Sequence, residues 1–487
     1  MSAPPESAAV ALSGGASAGS ATSRRWGFLV LLAFCLSRLA YYWLGVRFDL
    51  RPLDRYWQVI DPQLLMTRPL ESLLHLHSQP PLWNAYLAVV LHLPEELRAP
   101  AFTGSYLLLG LAITWGLFAL LGALGVALPL RLAATLIFAA SPAIVLYENL
   151  LFYTYPALAA LVWAALLLHR FLERGSGAAL AGWSALLAGL VLTRSLFHLG
   201  YLVAACAGLA LVAGPQRRRA VRWGSVAILV AASWYLHCWL QFGNFGASSW
   251  FGMNLAKMVV RTATPAERSM LATAHPTASI LALLPFRPLG EYSALVPLPP
   301  PTGVPLLDQL ENQPGVQNYH HLGYVAVSNR FRSAAVWVIL HRPQFYLRGL
   351  GTAWRLFFRS AADDKLLGDN ALAVEPVERW YRLALGQWRR MSVRDQVGPG
   401  EFAWGLAAAY CGAVALGVQR LRREGWRSPR GATVAFMLAS VVYVAVVGNG
   451  FDIGENNRFG LLVQPFVVAL LLLGTARDRR DRECPPV

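Results

Sequence analysis

Apolar residues along this chain arrive in long unbroken runs. They follow neither the alternation of a half-buried strand nor the one-sided stripe of a soluble helix. Runs of about 16–22 residues predict helices that cross a bilayer, because about twenty residues at 1.5 Å rise cover the hydrocarbon. Ten are predicted: 26–46, 101–122, 128–146, 156–171, 178–193, 196–213, 222–241, 402–419, 431–448 and 459–475. Residues 82–93 are apolar too, but a run of about twelve is too short to cross and reads as an interfacial segment. The first run is long for a secretory signal. It ends in Tyr41-Tyr42-Trp43-Leu44-Gly45, with no small-residue cleavage site, so it reads as a retained helix.

Charge orients these runs. With 82–93 left on one side, Arg131, Arg170, Arg174, Arg217–Arg219, Arg420–Arg430 and Arg477–Arg482 all join Arg24 and Arg25 on a single face, which the positive-inside rule makes cytoplasmic. Arg47, Arg51 and Arg55, just outside the first helix, disagree with the pattern. The prediction is an all-α polytopic membrane protein with about ten spans, juxtamembrane helices in its first outer loop, and one long extracytoplasmic region. Its parts are a disordered cytoplasmic tail (1–25), an N-terminal membrane module (26–241) with outer loop 47–100, an extracytoplasmic or interfacial region (242–401), C-terminal membrane helices (402–476) and a cytoplasmic tail (477–487). Within the long region, 334–358 reads as one amphipathic helix on the membrane surface. No internal repeat is visible, which speaks against a transporter built from duplicated halves.

Composition agrees. Of 487 residues, 56% are hydrophobic and 14% charged, far from a soluble domain. The 42 basic against 26 acidic residues give +16, but the arginines cluster at the ends of apolar runs. This is topology, not a nucleic-acid footprint. The five cysteines (Cys35, Cys206, Cys238, Cys411, Cys484) have neither metal-ligand spacing nor a disulfide framework.

The candidate chemistry gathers in the outer loops. Loop 47–100 carries Asp49, Asp54, Asp61 and Glu71, then His75 to Asn84 (His-Leu-His-Ser-Gln-Pro-Pro-Leu-Trp-Asn). A carboxylate above the bilayer beside a Pro-started helix suits a general base, whereas an ordinary solvated loop acid is the competing reading. His75 and His77 lack a third ligand with metal spacing, so a hydrogen-bonding or substrate-contact role is expected. Asp363-Asp364 reads as solvated charge or a cation ligand. Glu148, at a helix end in apolar surroundings, needs a partner or water. Arg194 and Arg458 are arginines on the outer face, where an anionic partner such as a lipid phosphate would account for them, and Glu455 is near enough to hold Arg458.

Taken together, these motifs resemble the multi-pass glycosyltransferases of the GT-C class, which includes the protein O-mannosyltransferases and the lipid A aminoarabinose transferase. The likeness rests on the acidic first outer loop and His77-Ser78-Gln79-Pro80-Pro81-Leu82-Trp83-Asn84. Ser141-Pro142 with the Glu148–Pro156 turn, Leu192-Thr193-Arg194, and Glu455–Arg458 before a late helix add to it. The resemblance implies a polyprenyl-phosphate sugar as donor and a glycan, lipid or protein acceptor, with no nucleotide site and no cofactor. It leaves a divalent metal open. It implies Asp61 as base, with Asp54 a close second, and Arg194 and Arg458 as holders of the lipid phosphate. His77, Gln79, Asn84, Glu148 and Glu455 would contact substrate. Asp54 and Asp61 are not adjacent as the class's paired acids are, and Gln79 stands where relatives often carry a base.

The rival readings are a lipid-linked sugar flippase, which would want charged or broken spans, and a non-catalytic scaffold. The Ala/Leu/Arg/Gly-rich composition points to a bacterial plasma membrane with the site facing the periplasm or exterior. An endoplasmic reticulum protein would satisfy the same topology.

Overall fold

The computed structural model describes residues 14–390 and 398–475. The expected tail 477–487, with Cys484, lies outside them, as do residues 1–13. The described residues are all-α apart from a small antiparallel hairpin, Glu311–Gln313 with Val316–Gln317, and an isolated bridge between Asp49 and Leu150.

Among the described residues, six helices are long and apolar enough to cross a membrane. They lie on α1 (Gly14–Trp43, its apolar part Trp26–Trp43), α3 (Glu95–Ala123), α6 (Thr154–Arg174), α9 (Arg217–Phe242, with the turn from Gly214), α16 (Pro429–Phe451) and α17 (Asn456–Leu471, carried on by a 3-10 turn to Thr475, 20 residues in all). Helix α1 begins well before Trp26, through part of the stretch expected to be a disordered tail. A bent pair, α4 (Leu128–Ala139) and α5 (Pro142–Glu148), makes a seventh span if taken together. Its 54° bend has a local cause: Ser141 is extended (φ −65°, ψ 137°) because the ring of Pro142 disfavours helix at the preceding residue.

The other expected spans fall on α7 (Gly177–Thr193), α8 (Leu199–Val212) and α15 (Trp404–Glu424). The first two, of 17 and 14 residues, fall short of the ~20 residues that a full crossing needs. Helix α15 carries Arg420, Arg422, Arg423 and Glu424 in its last turns, which lowers its apolar character. Segment 82–93 forms α2 (Pro81–Leu91), a short apolar helix of 11 residues, in keeping with the interfacial reading. Two of the three out-of-pattern arginines have local partners. Arg47 stacks 3.9 Å over the Tyr42 ring, and Arg51 pairs with Asp49 at 2.7 Å.

The spanning helices share one large hydrophobic core that includes Leu117, Leu161, Leu187, Val441 and Phe466. The long region between spans builds a second core of its own from α10 (Phe251–Val260), α11 (Pro265–Ala274) and α12 (Gly323–His341), around Met253, Leu271, Tyr292 and Phe331. Close approach here needs glycine: a Cβ on Gly252 would collide with the Ser328 backbone oxygen. The expected single helix 334–358 is two, α12 and α13 (Pro343–Phe357), broken at Arg342 (φ −140°, ψ 55°) ahead of Pro343. Helix α13 is not a free surface helix, because Phe345, Gly349, Ala353 and Leu356 are buried against its neighbours.

Candidate functional site

The run 75–84 folds into a buried polar knot. His77 Nε2 donates to the His320 carbonyl at 2.8 Å, which leaves Nδ1 to accept from the Ser249 hydroxyl at 2.7 Å. His320 repeats the scheme: Nε2 donates to the Val59 carbonyl at 3.1 Å, and Nδ1 accepts from Ser78. Both rings are neutral. Burial pushes His77 down to about 3 and His320 down to about 4. The knot ties the first outer loop to residues 248–250 and 318–320, so His77 is a scaffold residue rather than a substrate contact. Asn84 is one as well, accepting from Ile60 N–H at 2.9 Å and donating to the Gln58 carbonyl at 3.0 Å. Gln79, next in the run, faces a cavity.

That cavity, of about 600 Å³, lies between segments 57–58, 194–201, 244–257 and 443–459, where loops meet the ends of α8, α10, α16 and α17. Its cationic walls are Arg194, Lys257, Arg332 and Arg458, and its carboxylates are Asp452 and Glu455, a surplus of two positive charges. Arg194 sits where α7 ends in an extended residue (φ −142°, ψ 122°), which turns the side chain inward. Its guanidinium is buried, has one long contact to Thr154 Oγ1 (3.4 Å), and leaves Nη2 without a hydrogen bond. Burial, then the field of Arg458, pushes it down to about 10. Arg458, at the start of α17, bonds Glu455 through Nη2, whereas Nε and Nη1 are buried without partners. Asn456 fixes this turn by donating to Asn449 Oδ1 at 2.9 Å and to the Asp452 carbonyl at 3.0 Å. Buried Asp364 accepts from Tyr147 at 3.2 Å; burial first, then Glu455, raises its carboxyl.

Two further cavity residues were not singled out in the sequence. Lys257 and Asp452 pair at 2.5 Å, Lys257 coming from the second core and Asp452 from the late turn. Asp452 stands three residues before Glu455 in the same turn as Arg458, and that closeness is the signal the sequence offers for it. Nothing local marks Lys257, since its partner is far off in sequence.

A second, apolar cavity of about 400 Å³ runs between α8 and α16. It shares Gly200, Tyr201 and Tyr443 with the cationic one, and small residues such as Ala204, Gly208 and Ala439 line it.

The proposed bases are placed elsewhere. Asp61 is an N-cap, accepting from Gln63 N–H at 2.9 Å before Pro62–Thr67, and its carboxyl is raised chiefly by burial. Asp54 lies near Gln313 at 3.4 Å. Neither lines the cavity. Glu148 also faces away from it. Arg38 holds it with two bonds at 2.7 and 2.8 Å, and Tyr155 donates to it at 2.7 Å, so an ion pair joins α1 to the bent pair. Asp363 and Asp364 are buried rather than solvated. Among the described residues no group of three His, Cys, Asp or Glu has the arrangement of a metal site. Comparison with family models, curated proteins and solved structures finds no match for this chain.

Proposed function

We propose that the chain is an inverting glycosyltransferase that moves a sugar from a polyprenyl-phosphate donor to a glycan, lipid or protein acceptor. One observation carries the reading. Two buried arginines with unpartnered N–H groups face a cavity that adjoins an apolar groove, the two sharing Gly200, Tyr201 and Tyr443 as lining. Such a pair suits an anionic head, and such a groove suits the hydrocarbon chain attached to it. The resemblance to GT-C enzymes supports the same chemistry. We also infer ten crossings, with α7, α8 and α15 completing the bundle, and an extracytoplasmic cavity in a bacterial plasma membrane.

In this reading Arg194 and Arg458 hold the donor phosphate and stabilise the charge that builds on it as the glycosidic C–O bond breaks. An acceptor hydroxyl attacks the anomeric carbon from the opposite face, forming the new C–O bond and inverting the centre. Its proton passes to a carboxylate. On proximity we assign that role to Asp452, over Asp61 and Asp54, because Asp452 lines the cavity. Lys257, paired with it at 2.5 Å, holds the carboxylate at the cavity wall.

The rival, a lipid-linked sugar flippase, gains from one feature, the broken pair α4–α5 with its buried Arg38–Glu148 contact. Neither residue reaches either cavity. The test uses purified protein in liposomes with a radiolabelled polyprenyl-phosphate sugar. Label moving from lipid to acceptor supports the enzyme. Label crossing the bilayer on its original carrier makes the protein a flippase.

A further inference from the structure

The polarity of helix α14 (Glu375–Ala384) is inside out. Its inward face carries Glu378 and Arg382, both buried, while Trp380 and Leu383 on its outward face are 62% and 52% exposed. The inward charges are matched. Ser360 donates to Glu378 at 2.6 Å, and Arg382 and Arg390 reach Glu375 at 2.7 and 3.0 Å. The outward apolar face continues beyond the helix in exposed Leu372 and Trp388. A helix packed on a water-soluble body turns its apolar stripe to the core, and this one does the reverse.

The outward face has the make-up of a bilayer interface. Tryptophan and leucine sit beside arginines, with Arg379 held 5.0 Å over the Trp380 ring. It is also continuous with the surface of the spans, since Tyr381 donates to the Ile137 carbonyl at 3.5 Å and Ile137, on α4, is itself exposed. We propose that α14 lies in the lipid leaflet nearest the cavity, with Trp380 and Leu383 among acyl chains and Arg379 at the phosphates. Its inward charges then seal the stretch 360–364, which ends in the Asp364 that Tyr147 contacts beside Arg458.

Spin labelling tests this on the full chain, with its native cysteines replaced, in nanodiscs of phosphatidylcholine and phosphatidylglycerol. A label at Leu383→Cys is compared with one at Leu229→Cys, on the exposed face of span α9, and one at Asp369→Cys, whose side chain is 91% exposed at the start of the short helix Gly368–Ala373. Collision rates with oxygen, which concentrates in lipid, and with a water-soluble nickel chelate are read at each site. The expected result is that Leu383 matches Leu229, with high oxygen and low chelate access. A match to Asp369 overturns the proposal, and so does protection from both reagents, which would mean a protein cover. Trp380→Cys gives the same reading if Leu383→Cys folds poorly.

Discussion

Arg194 and Arg458 meet at one aromatic ring: their guanidinium carbons lie 5.3 and 5.8 Å from the centre of Tyr153. Phe152 and Phe459 complete the aromatic setting at 4.6 and 5.1 Å. Rings attract each cation without consuming its N–H groups, so the donors stay available to an anion. Two like charges held this close in a buried place raise each other's cost, and an anion arriving between them relieves it.

This arrangement predicts that Arg194→Ala and Arg458→Ala each weaken binding of a polyprenyl phosphate by roughly 10- to 100-fold, the range expected for losing hydrogen bonds to a charged group. Titration of a fluorescent polyprenyl phosphate into protein in nanodiscs checks it. Unchanged affinity in both variants would remove the phosphate assignment. The Glu455 left behind in Arg458→Ala is 24% exposed at its side chain, so water can take up its charge and the fold should survive.

The carboxylates give a second prediction, because Asp452 and Asp61 do different work here. Asp452→Asn should lower single-turnover transfer by about 10²–10⁴, the usual span for a general base, with donor affinity little changed. Asp61→Ala should cost about 1 kcal/mol of stability, as loss of an N-cap does, and leave transfer nearly intact. The reverse pattern in the same assay would return the base to Asp61.

These carboxylates also mark what the sequence can and cannot convey. The long helices were legible because twenty apolar residues have one economical solution in a bilayer. The bend at Pro142 and the break at Pro343 were visible as prolines, but not how strongly each would divide its helix. Arg194 and Arg458 stood out as cations in an unexpected place, and both reach the cavity. His77 and Asn84 were just as conspicuous, yet they are scaffold. A side chain's sequence neighbours do not reveal that its partners are Ser249, His320, Ile60 and Gln58. The charges around Glu378 were hidden for the same reason, because an inside-out helix has the same periodicity as an ordinary one.

The Arg38–Glu148 pair predicts a structural effect without a binding effect. Arg38→Met strands a buried carboxylate and should cost about 3–5 kcal/mol. Gly110→Ala attacks the same place from α3, since a methyl there would overlap the Glu148 carboxylate and stand 2.8 Å from the Tyr155 hydroxyl. Both variants should melt at lower temperature in detergent, while the fraction that stays folded binds polyprenyl phosphate as wild type does. A variant of normal stability with lost binding would instead put Glu148 in the ligand site.

Glu378 gives the pH dependence. Burial, with Asp363 adding to it, holds this carboxyl up at about 7, against the pull of the Ser360 hydroxyl and Arg382; Glu375, Tyr41 and Tyr381 also face it. The unfolded chain releases this proton near the ordinary 4.5, so between about 4.5 and 7 the folded state binds more protons than the unfolded one. Stability contributed at this site is therefore full below 4.5, falls as pH rises, and is lost above about 7, a change on the order of 3 kcal/mol. Glu378→Gln stays neutral throughout and keeps an acceptor for Ser360. Its melting temperature should fall less than that of wild type between pH 5 and pH 8, so that the variant gains on wild type at the alkaline end. Melting curves that run parallel across that range would mean the carboxyl titrates at its ordinary value, and the closed seal under helix α14 would have to be given up.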